Sequence, residues 1–467
     1  MKKNSSVSGI KKNVSLAILA QAFSLGVSFV INLIVPKFIS EHQYAYWQTY
    51  VLYVGYVGVL HFGLLDGIVL RYSQYDYDQL DTRLICSQFR LLLAGTSVIA
   101  IIIFCCGALF LSQNYRRIIL FIAIGIVIKN AVTYTTYLLQ VTNRISKYIK
   151  ITIAQRVLFG ILIIILLGLK IDQFEWFCTA EIISEVCAVV MGVHYSSELY
   201  TSKPIAWQLA FKEAKCNICS GIMLLVANWT SMLLVGSAKM IVQFRWSDLL
   251  FGKVSFSFSI ANLFLAFINA ISVVLFPALK RMESKQLPLL YIKLRESISP
   301  ILFGTLLIYF PGCWILEKWI PQYIPSLTYL GYLLPMIIFA SKVSLLTNNY
   351  LKAYRKETIM LCINIVCAMS AITMYLIATY LYDNLALLLI AVVFVVMLRS
   401  IVSEIVVAKL INKRFYTEFA LELIVTAFFI ICTQCLDRWM GMMCYAVFYS
   451  LYFVTKELLK KKKFDEK

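Results

Sequence analysis

The chain has 467 residues, 61% of them hydrophobic and 14% charged, with a mean hydropathy of +0.81 and a formal net charge of +19. Soluble domains carry about a quarter charged residues, so this polar complement cannot cover a soluble globule of such length. The apolar runs are continuous over about 20 residues and do not alternate over about 10, which excludes a β-barrel and leaves an all-α polytopic membrane protein.

In chain order, apolar stretches long enough to cross about 30 Å of hydrocarbon at 1.5 Å per residue lie near residues 14–36, 45–69, 91–112, 118–141, 149–169, 174–195, 217–238, 251–277, 298–316, 325–347, 358–381, 384–408, 418–435 and 439–456. That predicts about 14 transmembrane helices. The first exceeds the 7–15 residue apolar core of a signal peptide and reads as a retained helix. Its Gln21, Ser24, Ser28 and Asn32, spaced by three and four, share one face. The second ends in Asp66 and Arg71, an acid and a base closing an apolar run. In the fourth, Lys129, Thr133, Thr136 and Gln140 recur at helical spacing and form a continuous polar face.

The fifth span contains Arg156, and the sixth contains Glu181 and Glu185 one turn apart. The seventh carries Asn228, and the eighth aligns Ser255, Ser259, Asn262 and Asn269. Lys253 and Lys342 sit near span ends, where long side chains snorkel, while Arg399 and Glu404 share the twelfth span. With the N-terminus placed in the cytoplasm, the segments on that side hold 28 of the 43 lysines and arginines and the outer loops hold 8. Such a bias over short loops is a positive-inside signature that puts both termini in the cytoplasm. The positive charge therefore reports topology and membrane lipid contact at Lys460–Lys463, and a nucleic-acid partner is not expected.

Six spans, a longer connection at 196–216 and six more spans suggest two similar lobes, over residues 1–200 and 201–410. Two further helices and a basic cytoplasmic tail occupy 411–467. Two six-helix lobes around a central cavity is the arrangement of many secondary transporters.

The stretch Ser40-Glu41-His42-Gln43-Tyr44-Ala45-Tyr46-Trp47, with Pro36 before it and Phe62-Gly63-Leu64-Leu65-Asp66-Gly67…Leu70-Arg71-Tyr72 after it, resembles bacterial polysaccharide-biosynthesis flippases. These O-antigen and exopolysaccharide flippases belong to the multidrug/oligosaccharidyl-lipid/polysaccharide (MOP) exporter superfamily. The motif covers about sixty residues; helix number and two-lobe layout extend the likeness along the chain. The resemblance implies alternating access in the bacterial inner membrane. The implied cargo is a polyprenyl-pyrophosphate-linked oligosaccharide for O-antigen, capsule or exopolysaccharide. A polysaccharide polymerase and glycosyltransferases are implied as partners. The peptidoglycan branch typically carries arginines in its first helix; this chain has none there, which argues against a lipid II flippase.

A phosphorylated sugar head crosses hydrocarbon only where fixed cations and hydrogen-bonding groups replace its hydration. Lys129, Arg156 and Arg399 are the candidate cations, with Asn32, Gln140, Asn228, Asn262 and Asn269 as candidate polar lining of the central cavity. The competing reading is internal pairing, Glu181 and Glu185 with Lys129 or Arg156, and Glu404 with Arg399. The same carboxylates would serve ion coupling, and unpaired they would suit a multidrug or cation antiporter on the same scaffold. Asp66 and Arg71 read as a cytoplasmic gate pair or as interfacial anchors.

A membrane-embedded enzyme of the pathway is the third reading, disfavoured by short outer loops. No Walker sequence, catalytic triad pattern or metal-ligand spacing among His42, His61 and His194 is present, so no cofactor is expected. The 13 cysteines read as small apolar fillers.

Overall fold

The computed structural model describes residues 23–280 and 286–465, with side chains described at all of them except 267, 269–280 and 459–465. Among the described residues the chain is all helix, without strands. The helices are α1 (Phe23–Phe38), α2 (Glu41–Val54), α3 (Leu64–Tyr72), α4 (Thr82–Phe110), α5 (Gln113–Val141), α6 (Ile145–Gly168) and α7 (Phe174–Tyr195). The short α8 (Ser197–Thr201) leads into α9 (Trp207–Arg245) and α10 (Asp248–Lys280). After the undescribed 281–285 come α11 (Leu287–Thr305), α12 (Tyr309–Trp319), α13 (Ile324–Leu333), α14 (Pro335–Lys342), α15 (Asn348–Ala353), α16 (Glu357–Leu376), α17 (Leu385–Leu410), α18 (Tyr416–Cys435) and α19 (Arg438–Asp465).

Ten of these stretches are long and apolar enough to cross a membrane, or twelve if each of two bent pairs is one span. The shorter apolar α1 and the more polar α19 overlap the first and last of the fourteen stretches read from the sequence. The chain is a multi-pass α-helical membrane protein.

Local chemistry sets the helix ends. Asp81 caps α4 by accepting from the backbone N–H groups of Arg83 and Leu84. Asn143, Lys170, Arg355 and Asn412 adopt left-handed φ of 53–60° just after α5, α6, α15 and α17. There the next residue donates back five positions, as from Arg144 N to Leu139 O at 2.8 Å, which closes the helix ends in Schellman turns. The two bent pairs have visible causes. Successive left-handed residues, Phe62 (φ 51°) and Gly63 (φ 87°), turn the chain by 58° between α2 and α3. Pro335 opens α14, bent by 44° from α13.

The chain divides into two compact units, one ending at Met232 and one beginning at Leu233, so the boundary falls inside α9. In the first unit α5 is central and packs on α2, α3, α4, α6 and α7. Its Tyr134 lies among Ile85, Phe89 and Tyr200, with the hydroxyl donating to Ile85 O at 2.7 Å. In the second unit α10 and α17 pack on α13 and α14, and α16 lies on α17. The appended α18 and α19 pack on each other and against α13, α12 and α11. Tyr445 and Tyr449 of α19 donate to the carbonyls of Phe303 and Pro300, beside the internal proline of α11.

Candidate functional site

The intramembrane charges gather in two places, one in each unit. In the first unit, Lys129 of α5 reaches Glu181 Oε1 at 2.7 Å and Glu185 Oε1 at 3.4 Å on α7. Gln155 of α6 donates to Glu185 Oε1 at 3.1 Å. One lysine thus bridges two carboxylates one turn apart, which answers the repulsion between them. Of the sequence alternatives for Lys129, pairing is what the geometry shows. The hydroxyls of its polar stripe turn inward on their own helix, Thr133 donating to Lys129 O and Thr136 to Val132 O. Gln140 is exposed. Arg156 is half-buried, has an Nε without a hydrogen-bond partner, and lies in electrostatic range of Lys129 and Glu185.

Substituting Lys129 by Met strands Glu181 and Glu185 together. Their side chains are 17% and 11% exposed, so the loss of stability is expected at about 1–3 kcal/mol, below that of a fully buried pair. Unfolding of the solubilised protein measures it, and Lys129→Arg should recover most of the loss.

The second unit holds a cluster that the sequence did not announce. Arg295 Nε donates to Glu404 Oε2 at 2.6 Å and Arg295 approaches Glu422 Oε1 at 3.4 Å. Lys342 Nζ meets Glu404 Oε1 and lies 2.6 Å from Glu422 Oε2. All four side chains are between 0 and 3% exposed. Two cations and two carboxylates cancel, and the Arg295 guanidinium also lies over the Phe415 and Phe419 rings at 4.5 and 5.4 Å. The quartet draws one member each from α11, α14, α17 and α18, so it ties the first of the appended helices to the body of its unit.

Two sequence expectations need correction. Glu404 meets Arg295 and Lys342, not Arg399, because residues five apart on a helix point about 140° away from each other. Lys342 does not snorkel; it is wholly buried. Asp66 and Arg71, five apart on α3, face different partners. Arg71 reaches Glu213 at 2.7 Å and Asn217 Oδ1 at 2.5 Å, while Asp66 Oδ2 lies 3.8 Å from His61 Nε2.

Arg295 was placed in a connecting segment and Glu422 was not singled out. The signal for both was present. Leu287, Tyr291, Arg295, Ser299 and Phe303 recur every four residues as the buried face of α11, and Phe419, Glu422, Thr426 and Phe429 recur at steps of three and four as that of α18.

Of the expected polar lining, Asn228 and Asn262 are exposed and Asn32 is partly buried, its amide donating to Ser28 O at 2.8 Å. The Asn269 side chain and Gln21 lie outside the described residues.

A charge surplus remains. Of the buried carboxylates among the described residues, Glu185 faces Lys129, and Glu404 and Glu422 face Arg295 and Lys342, while Asp66 has beside it only the imidazole of His61 at 3.8 Å. Two shielded cations on apolar helices have no carboxylate in electrostatic range among the described residues, Lys239 and Arg399, whereas Arg156 lies in range of Glu185 and Lys456 in range of Glu422 and Glu296. Arg399 is 9% exposed on α17 with an unpartnered Nε, and Lys456 buries its Nζ without an acceptor. Lys239 lies 5.9 Å from the Phe258 ring. It lies one residue beyond the apolar stretch 217–238, whereas α9 continues to Arg245.

No protein-family profile matches the sequence, and no curated protein matches it. Solved structures do match. The lipid II flippase MurJ, in an inward closed conformation, superposes with a TM-score of 0.68 at 11% identity, covering 96% of this chain and 98% of that one. A multidrug-resistance transporter of the MATE family, inward-facing, gives 0.63 at 12% identity over 85% and 94%. A MOP-superfamily transporter from Pyrococcus furiosus gives 0.52 at 12% identity over 86% and 96%. The chain therefore has the fold of MOP-superfamily transporters, from nearly end to end.

Proposed function

We propose that this protein is a flippase that moves polyprenyl-pyrophosphate-linked oligosaccharide from the cytoplasmic to the outer leaflet of a bacterial inner membrane, for O-antigen, capsule or exopolysaccharide. The observation that carries this reading is a pair of shielded cations, Lys239 and Arg399, that no carboxylate among the described residues answers. A pyrophosphate supplies the missing negative charge, and a guanidinium with a free N–H is suited to phosphate oxygens. A cation antiporter calls for the opposite, carboxylates left free to take a positive drug, whereas Glu181 and Glu185 are both occupied by Lys129. A similar fold serves a lipid-linked cargo in MurJ, by that protein's name, and the motif at 40–72 points to the polysaccharide branch.

Transport on this reading proceeds by alternating access of two lobes. The pyrophosphate-sugar head is drawn by the unanswered cations Lys239 and Arg399 while the prenyl tail stays in lipid. Lys129 with Glu181 and Glu185 then forms a pair that the arriving diphosphate competes for, coupling binding to movement.

Deleting the gene and restoring it on a plasmid tests the reading. Loss of surface polymer, with lipid-linked repeat units accumulating on the cytoplasmic leaflet and unchanged sensitivity to cationic drugs, is the expected result. Normal polymer together with drug hypersensitivity would replace it by the multidrug antiporter.

A further inference from the structure

The stretch Phe62–Tyr72 gives the sequence its family likeness, yet it supplies no cation to the surplus described above. It does contain the tightest backbone approach of the first unit. A Cβ on Gly67 would stand 1.8 Å from Asn217 O. One on Gly221 would stand 2.1 Å from Gly63 O and 2.3 Å from Gly67 N, and one on Gly63 would stand 2.7 Å from Ile222 N. Real Cβ contacts are never this close, so three glycines let α3 and α9 touch backbone to backbone, as small residues do between membrane helices.

Polar side chains close the far end of the seam. Arg71 bonds Glu213 and Asn217, and the Tyr72 hydroxyl donates to Glu213 Oε1 at 3.0 Å. Positions 63, 67 and 71 meet 221, 217 and 213 in steps of four, so two antiparallel helices are registered turn by turn. The left-handed Phe62 and Gly63 are what release α3 from the axis of α2 and lay it along α9.

We propose that α3 and residues 213–222 of α9 form one cooperative body, a clamp whose jaws are Gly63, Gly67 and Gly221 and whose latch is Arg71–Glu213, so that α3 opens and moves with α9. The competing allegiance is to α5, on which Leu64, Leu65 and Ile68 also pack. The clamp is a property of this unit's packing and holds whatever the cargo is.

Hydrogen exchange on the full-length protein in lipid nanodiscs separates the two allegiances and needs no transport assay. Gly221→Ala should lower protection of residues 64–72 and 213–222 together, by about tenfold or more, while the middle of α5 stays protected. Gly95→Ala, whose added Cβ meets nothing within 4 Å, should change neither segment. If Gly221→Ala does not fold, Arg71→Met unlatches the far end and should produce a smaller joint loss over the same two segments. Unchanged exchange of α3 in the variant that folds, or loss in α3 that tracks α5 and spares α9, overturns the proposal. Loss of polymer export by itself would bear on the transport reading and leaves the clamp untouched.

Discussion

Glu404→Gln is expected to lower the unfolding free energy by about 3–5 kcal/mol, because it removes one of two negative charges from a quartet with almost no access to water. Gln keeps the shape of the side chain, so the loss is electrostatic and not a packing defect. Lys342 and Arg295 are left sharing Glu422, and the desolvation of the second cation is no longer offset. Urea or thermal unfolding of the detergent-solubilised protein measures the effect. Lys342→Met by itself should cost a similar amount, and the double variant should cost clearly less than the sum, since it restores a neutral Arg295–Glu422 pair. A change under about 0.5 kcal/mol for Glu404→Gln would mean that the quartet is hydrated in the membrane-embedded protein.

The second large effect is on transport. Arg399→Gln and Lys239→Gln should each reduce polymer export by at least about tenfold, the weight of one charge-assisted hydrogen bond to phosphate, at about 1.5–3 kcal/mol. Neither cation has a carboxylate to release among the described residues, so both variants should insert and unfold as the parent does. That separates them from the quartet, where stability falls. Arg399→Lys keeps the charge and loses the fork of donors, so partial export is expected. Export in the double variant at parental level, measured by surface polymer with matched expression, would remove these cations from the cargo path.

The membrane class and the number of spans were legible because they rest on composition and run length, which need no knowledge of neighbours. Lys129 with Glu181 and Glu185 was within reach for the same reason. Two carboxylates one turn apart and a lysine in mid-span admit few arrangements in hydrocarbon, and pairing was one of the two that were read. The partner of Glu404 was not legible. Arg295, Lys342 and Glu422 stand on separate helices, and only packing decides which carboxylate each cation meets. The boundary of α9 misled in a similar way: an apolar window ends where hydropathy falls, but the helix and its shielded Lys239 go on. The glycines of the motif could be seen but not interpreted, since the reason for a missing side chain lies in the opposing backbone of α9.

What the sequence alone determined, then, is a helical membrane chain with charged groups of both signs inside its spans, because hydrophobicity and charge are properties of each residue wherever it lies. Tertiary structure alone decided which of those charges are spent on one another and which remain available to a ligand, because Coulomb attraction at 3 Å depends on pairings between helices far apart in the chain.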